Sequence, residues 1–238
     1  MATYVLVHGA WHGAWCWEKL TPLLESEGHT VVTPDLPGRG DAPAPASEMT
    51  LAANAERVRE HLERADEPVI LVGHSMGGMA VTQAAELAPE KVAKLVYLAA
   101  FLAADGQSLF DLAAGDDPDF VQQNLIVDEA GGTCRIADEA IRQAFYGECG
   151  DDDVERASRR LVPESLAAMA APVRTSDAGW GSIPRIYVEC LRDGAIDLPR
   201  QRRMQAALPC DEVHSIDTDH SPFVSRTDEL AAILLGLA

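Results

Sequence analysis

The sequence has little of what marks a nucleic-acid-binding, membrane or secreted protein. Of 238 residues, 19 are Lys or Arg and 38 are Asp or Glu, so the formal net charge is −19. Such a surface repels phosphate backbones and anionic lipids, which argues against nucleic-acid and membrane partners. No apolar run approaches the roughly 20 residues that span a bilayer. Residues 1–8 contain no basic stretch and no cleavage site, so we expect no export signal and a cytoplasmic protein.

Cysteine is scarce and scattered, at Cys16, Cys134, Cys149, Cys190 and Cys210. The chain has no C-x-x-C pair and no Cys/His spacing typical of a zinc site. An odd number of cysteines without an export signal favours reduced thiols, and a Cys134–Cys149 disulfide stays open as the alternative. We expect neither a metal nor an organic cofactor.

Six short runs rich in Val, Ile and Leu have the length of β-strands. They occupy residues 4–8, 30–33, 69–73, 95–99, 186–190 and 213–217. Most are apolar at successive positions, which is typical of strands covered on both faces. Between them, Leu51, Ala55, Val58 and Leu62 have the spacing of one helix face. Strands that alternate with helices predict an α/β fold, with a mainly parallel sheet of about six strands and helices on both faces.

Residues 104–182 break this alternation. The segment holds 16 acidic and 6 basic residues, so it carries 10 of the 19 net negative charges. Strand-like runs are absent there, and no long Gly/Ser linker flanks the segment. We therefore predict a helical cap, inserted into a core formed by residues 1–103 and 183–238.

The sharpest motif is Gly73-His74-Ser75-Met76-Gly77, which fits G-x-S-x-G. It follows a predicted strand and opens a predicted helix, so the chain must turn sharply at Ser75. Glycines two residues away on either side leave room for that turn. The turn would push the Ser75 hydroxyl out above the sheet edge, at a helix N-terminus that favours developing negative charge. We predict that Ser75 is a nucleophile.

A serine nucleophile needs a base and an acid that orients the base. Seven histidines compete for the first role: His8, His12, His29, His61, His74, His214 and His220. His220 follows the last predicted strand, where a base is expected after a G-x-S-x-G nucleophile. Asp193 follows the preceding strand beside a glycine and is the preferred acid, while Asp105 and Asp197 stay as alternatives.

The negative oxygen of the reaction intermediate needs two N–H donors. Met76, directly after the nucleophile, should supply one. The loop after the first strand should supply the other, and we choose the Ala10 amide. His12 would hold that loop by a hydrogen bond. The candidates for lining the substrate pocket are Gly9, His12, His74, Phe101 and Ser221.

Several of these stretches resemble one branch of the α/β-hydrolase superfamily. The residues are 8–15 (HGAWHGAW), 35–38 (DLPG), 73–78 (GHSMGG), 190–193 (CLRD) and the pair Asp219-His220. The branch contains plant methylesterases, hydroxynitrile lyases and bacterial pyrethroid-hydrolase-like carboxylesterases. The resemblance implies the α/β-hydrolase fold, a triad of Ser75, His220 and Asp193, and an oxyanion hole at Ala10 and Met76.

The same resemblance separates two chemistries. The lyases of the branch use a threonine in the oxyanion loop and a lysine directly after the catalytic histidine, where this sequence has Gly9 and Ser221. Without the lysine ammonium, departing cyanide would lack a positive partner. We therefore predict a serine carboxylesterase for a small to medium neutral ester. A hydroxynitrile lyase and a ligand-sensing protein on a hydrolase scaffold are the alternatives. We expect a small-molecule ester as the partner, and we consider a homodimer as the assembly of this chain.

Overall fold

The computed structural model describes residues 1–114 and 119–238 of the chain. Nine strands form two sheets in this part. They are β1 Thr3–Val7, β2 Thr30–Val32, β3 Val69–His74, β4 Val92–Leu98, β5 Leu125–Asp128, β6 Thr133–Ile136, β7 Glu164–Ser165, β8 Arg185–Cys190 and β9 Glu212–Ile216. The larger sheet has the order β2-β1-β3-β4-β8-β9, and all its strand pairs are parallel. The prediction of a six-stranded, mainly parallel sheet is confirmed.

Eleven α-helices accompany the sheets in the described residues. They are α1 Thr21–Ser26, α2 Leu51–Glu63, α3 Gly77–Leu87, α4 Leu109–Ala113, α5 Phe120–Gln123, α6 Ile141–Phe145, α7 Asp151–Ser158, α8 Leu166–Ala170, α9 Leu198–Ala207, α10 Pro222–Ser225 and α11 Thr227–Leu235. Five single-turn 3₁₀ helices lie at Ala14–Trp17, Ala46–Glu48, Pro89–Lys91, Asp138–Ala140 and Trp180–Ser182. None of the helices in the described part of the chain is long and apolar enough to cross a membrane.

Two hydrophobic cores cover the two faces of the larger sheet. Alternate residues of each strand enter different cores, because side chains on a strand point to opposite faces. Val5 and Val7 of β1 pack with α2 and α3, whereas Tyr4 and Leu6 pack with α1 and α11. All six residues of β3 are buried. This two-sided burial explains why the strands read as continuous apolar runs.

The segment between β4 and β8 differs in one respect from the prediction of a helical cap without strands. It contains short helices, but it also holds the three-stranded antiparallel sheet β5-β6-β7. These strands are only two to four residues long, and Ile126 and Val127 of β5 are exposed. β5 contains the apolar run Leu125-Ile126-Val127, which is as long as β2. The expectation that residues 104–182 hold no strand-like run is therefore wrong.

Because both faces of the larger sheet are buried, we expect truncation of a core side chain in a central strand to destabilise the protein. Leu98→Ala should lower the free energy of unfolding by about 2–5 kcal/mol, since Leu98 is fully buried and its loss leaves a cavity. Leu87→Ala is the matched control, because Leu87 is 52% exposed and should change stability by no more than about 0.5 kcal/mol. Urea denaturation measures both, and equal losses would contradict this account of the core.

Candidate active site

Ser75 lies at the sharp turn that joins β3 to α3. Its φ is 54°, in the left-handed region that few non-glycine residues adopt. Three hydrogen bonds hold this strained backbone. The Ser75 amide donates to the Leu98 carbonyl at 3.3 Å, and the Ser75 carbonyl accepts from the amides of Phe101 at 3.1 Å and Gly78 at 3.0 Å. The neighbouring strand β4 and the residues after it therefore fix the turn in which the hydroxyl is presented.

Three glycines around Ser75 allow backbones to approach each other closely. A Cβ on Gly77 would lie 2.6 Å from the His8 carbonyl oxygen. One on Gly73 would lie 2.8 Å from the Gly77 oxygen, and one on Gly78 would lie 2.3 Å from the Phe101 oxygen. Each glycine faces at least one backbone atom at this distance, so a larger residue would have to displace a strand or loop. Glycine at these positions is a steric requirement of the turn.

His220 and Asp193 form a buried pair at the carboxyl end of the sheet. His220 Nδ1 donates to Asp193 Oδ2 at 2.7 Å, and their side chains are 1% and 0% exposed. His220 Nε2 is buried and has no hydrogen-bond partner among the described residues. The Asp193 contact thus puts the ring proton on Nδ1 and leaves Nε2 able to accept a proton.

The two alternative acids lie elsewhere. Asp105 accepts a hydrogen bond from the Thr175 amide, and Asp197 caps the N-terminus of α9. Of the three candidate carboxylates, the structure places Asp193 against His220.

The Asp193 carboxylate is itself held by the residues after it. Oδ1 accepts from the amides of Ala195 and Ile196 at 2.7 and 2.8 Å. Oδ2 accepts a longer bond from Gln201 Nε2, at 3.3 Å. Gln201 is fully buried and also bonds Cys190, so it ties the acid loop to the end of β8. The role of Gln201 was not predicted, because a glutamine on a helix carries no motif.

His74 connects the nucleophile turn to His220. It precedes Ser75 in the chain, and its Nε2 donates to the His220 carbonyl at 2.8 Å. The two rings are 4.5 Å apart. Burial lowers the pKa of His74 well below its usual range, so the ring is neutral.

Two backbone amides beside Ser75 have no partner. Neither the Ala10 nor the Met76 N–H donates a hydrogen bond to any residue that the structure describes. Both residues line one cavity together with Ser75. Two free donors next to a strained serine suit an oxygen that gains negative charge.

His8 fixes the direction of the Ala10 amide. Its Nδ1 donates to the Gly9 carbonyl at 2.9 Å, while its Nε2 accepts from the Leu36 amide at 3.1 Å. The Gly9 carbonyl and the Ala10 N–H belong to one trans peptide, so they point in opposite directions. Burial, the largest cause, and the nearby Arg39 charge lower the pKa of His8 to about 3, which keeps the ring neutral and its two bonds fixed.

His12 supports the same loop from the other side. Its Nδ1 donates to the Ala10 carbonyl at 2.8 Å, and its Nε2 accepts from the Tyr146 hydroxyl at 2.6 Å. Burial lowers the pKa of His12 to about 4. The predicted loop-holding hydrogen bond is present, and we call residues 9–13 the oxyanion loop below.

The cavity in front of Ser75 encloses about 600 Å³ of space between atoms, part of it open to solvent. Most of its lining is apolar, and it comes from the core and from the cap segment: Ala10, Trp11, Ser75, Met76, Phe101, Leu109, Phe110, Ala113, Asp119, Val121, Gln122, Leu125, Phe145, Met169, Ala195 and Ile196. The Asp119 carboxylate is paired with Arg200 and caps α5. No Lys or Arg of the described residues lines this cavity.

Of the five pocket candidates from the sequence, Phe101 is among the residues that line this cavity. Gly9, His12, His74 and Ser221 are buried residues outside that lining, and their contact with a substrate stays a prediction. Most of the lining was missed because it comes from cap residues without periodicity or motif.

The remaining predictions concern thiols and metals. All five cysteines are free, so the alternative Cys134–Cys149 disulfide is absent. Across residues 1–114 and 119–238, no group of three or more His, Cys, Asp or Glu side chains could hold a metal ion.

Comparison with known proteins finds a matching family and several similar proteins. A sequence model described as "Alpha/beta hydrolase family" matches residues 4–233. Methylesterase 7 from Arabidopsis thaliana is 34% identical over 257 residues, which cover 99% of this chain and 95% of that protein. Putative methylesterase 11, chloroplastic, from the same plant is 33% identical over 247 residues, and there the chain spans only 63% of the relative.

Solved structures are also similar to this chain over nearly its whole length. Polyneuridine aldehyde esterase shares 29% identity with a TM-score of 0.90, covering 100% of this chain and 99% of that one. A pyrethroid hydrolase from Sphingobium faniae JZ-2 shares 27% identity with a TM-score of 0.90, covering 99% and 96%. The similarity therefore extends over the cap segment as well as the core.

The close approach of Gly77 to β1 predicts a local steric effect. Gly77→Ala should destabilise the protein by about 1–3 kcal/mol, because its Cβ would overlap the His8 and Val7 carbonyl oxygens. Gly150→Ala is the control, since a Cβ there meets nothing within 4 Å. Thermal unfolding compares the two variants, and a Gly77→Ala protein as stable as Gly150→Ala would contradict the steric role.

Because His12 is buried and neutral, we predict that the protein loses stability as the pH falls. The folded-state pKa of His12, about 4, is below the unfolded value of about 6.5. As pH falls through this window the unfolded chain binds a proton that the folded chain does not, so stability decreases. His12→Gln should make the fall in unfolding free energy between pH 6 and 4.5 shallower, by up to about 1.4 kcal/mol per pH unit.

Urea denaturation at several pH values measures this slope. Leu98→Ala is the control, because it lowers stability without removing a titrating group. A His12→Gln slope as steep as that of the unmodified protein would contradict the neutral, buried state of His12.

Proposed function

We propose that this chain, which belongs to the alpha/beta hydrolase family and is an enzyme of ester hydrolysis, acts as a serine carboxylesterase through an acyl-enzyme. The observation that carries the proposal is the His220–Asp193 pair, with its free Nε2, at the same end of the sheet as the strained Ser75 turn. His74 joins the two parts of the site.

In the first half of the reaction, Ser75 Oγ attacks the ester carbonyl carbon. His220 Nε2 takes the hydroxyl proton, and the Asp193 carboxylate stabilises the imidazolium that forms. The carbonyl oxygen becomes negative and accepts hydrogen bonds from the Ala10 and Met76 amides. The tetrahedral intermediate collapses, and His220 returns the proton to the leaving alcohol.

In the second half, water cleaves the acyl-enzyme. His220 removes a proton from the water, which attacks the acyl carbonyl, and the same two amides hold the new oxyanion. The Ser75 oxygen leaves and regains its proton from His220. The acid product is released, and no step needs a metal or an organic cofactor.

The cavity supports a neutral, largely apolar ester of small to medium size as the substrate. Its lining offers hydrocarbon and aromatic surface, and the polar groups Asp119 and Gln122 are already hydrogen-bonded to each other. Cap acids such as Asp138 and Asp151 have side chains that are 90% and 96% exposed. The preference for neutral esters thus rests on the apolar lining rather than on the acidic charge of the cap.

The lyase alternative has no support from the geometry. Ser221, which stands where the lyases have a lysine, is fully buried beside Tyr146. No Lys or Arg among the described lining residues faces the cavity to accept a cyanide anion. Ester hydrolysis needs no such cation.

Removal of the nucleophile is the direct test. Ser75→Ala should reduce turnover of p-nitrophenyl acetate and butyrate by at least about 10³-fold, because no other group can form the acyl-enzyme. Ser26→Ala is the control, since the Ser26 hydroxyl bonds the Leu23 carbonyl on the exposed surface of α1. Steady multiple turnover in the unmodified protein and in Ser26→Ala is expected.

Other outcomes would point to the alternatives. One turnover followed by a stable acyl adduct would contradict an esterase and favour a ligand sensor. Cyanide release from mandelonitrile faster than ester cleavage would favour a lyase. Ester turnover that survives in Ser75→Ala would exclude the serine mechanism.

A further inference from the structure

The oxyanion loop has an unusual set of restraints. Each of its five carbonyls, from residue 9 to residue 13, accepts a hydrogen bond. The donors, in chain order, are His8 Nδ1, His12 Nδ1, Val162 N, Arg39 Nε and Cys16 N. Trp11, in the middle of the loop, has a φ of 62°, so the loop is strained and depends on this support.

Two of these donors come from outside the loop and its flanking turns. The Val162 amide, in the cap segment, donates to the Trp11 carbonyl at 3.0 Å. Arg39 Nε donates to the His12 carbonyl at 3.1 Å. Arg39 belongs to the Gly38-Arg39-Gly40 turn after β2, which has no role in the mechanism described above.

Arg39 also joins the loop to the cap by a buried ion pair. Its Nη2 donates to Glu164 Oε2 at 2.5 Å, and the two side chains are 3% and 6% exposed. Glu164 lies in β7 of the small cap sheet, and its other oxygen accepts from the Ser165 amide at 2.8 Å. Arg39 Nη1 bonds the Pro37 carbonyl at 3.3 Å. One planar guanidinium thus holds three acceptors, which a lysine ammonium could not do in this geometry.

The buried ion pair is stable only when both partners are present. An unpaired charge at this depth would strongly destabilise the fold, so Arg39 and Glu164 constrain each other's position. The Arg39 charge also helps to lower the pKa values of His8 and His12, after burial as the main cause for both. The guanidinium therefore acts on the two rings that hold the peptide groups on either side of Ala10.

We propose that Arg39 is a positioning residue for the oxyanion loop, and that its ion pair with Glu164 makes the alignment of the Ala10 amide depend on the docked cap. The proposal rests on the proposed esterase function. It assigns to the cap a part in the chemical step, besides its part in lining the substrate cavity.

Two variants separate positioning from simple stabilisation. Arg39→Lys keeps the positive charge but loses the fork that bonds His12 and Pro37. The double variant Arg39→Leu/Glu164→Leu removes both charges and leaves neither partner unpaired in the core, so it should fold. Lys19→Met is the control, because Lys19 makes an exposed ion pair between the core and Asp153 of the cap, at 2.7 Å.

The measurements are kcat and KM for p-nitrophenyl butyrate and the affinity for an alkyl boronic acid, whose tetrahedral adduct uses the oxyanion donors. Both Arg39 variants should lose about 10- to 100-fold in kcat and in boronate affinity, since a small displacement of a donor is costly. KM should change by less than about 2-fold, because ground-state binding does not use these donors. Lys19→Met should retain kcat, KM and boronate affinity.

Two results would overturn the proposal. One is that the Arg39 variants match Lys19→Met in kcat and boronate affinity, and the other is a change confined to KM. If the double variant fails to fold, Arg39→Lys alone decides by the same criteria.

Failure of the proposed function would look different, since the unmodified protein would then hydrolyse no ester. Amide hydrogen exchange decides the positioning role in that case. Faster exchange of the Val162 amide in Arg39→Lys than in Lys19→Met would support it, and equal exchange would overturn it.

Discussion

The strained backbone at Ser75 is the constraint on which the site depends. A left-handed serine between a strand and a helix is stable only where the surrounding chains approach closely enough to fix it. Gly77 allows α3 to lie against the end of β1, and Gly78 allows it to lie against the backbone at Phe101. These contacts bring the oxyanion loop beside the serine. They also leave the Met76 amide without an acceptor among the described residues, so the same packing that strains the chain provides the donor that the proposed mechanism uses.

Burial gives the surrounding histidines structural rather than acid–base roles. His8, His12 and His74 are each held neutral by desolvation, and each donates from one ring nitrogen to a backbone carbonyl. His220 differs because its Nδ1 donates to a carboxylate. A neutral imidazole has one donor and one acceptor, so these bonds specify its tautomer. Of these four histidines, His220 is the one paired with a carboxylate, as its proposed role of base requires.

Local patterns in the sequence were sufficient for the core but not for the cap. The strands of the larger sheet and the G-x-S-x-G turn are local features that could be predicted, and strand order favoured Asp193 as the acid while Asp105 and Asp197 stayed open. The small sheet around β6 was missed, because its strands of two to four residues lie in a segment without a regular alternation of strands and helices. The role of Arg39 was not predicted, since its partner Glu164 lies 125 residues away. Contacts between distant segments leave no spacing that a single sequence can reveal.

The cap serves two physical functions through different residues. Leu109, Val121 and Leu125 face the cavity, so changes there alter its size and shape without touching the donors of the oxyanion loop. Glu164 and Val162 do not line that cavity but hold the loop through Arg39 and Trp11. Because these two sets do not overlap, the proposed mechanism allows substrate choice to vary by exchange of the apolar lining while the oxyanion loop keeps its geometry. In that mechanism the buried ion pair separates the two functions, since it joins the oxyanion loop to β7 rather than to the cavity lining.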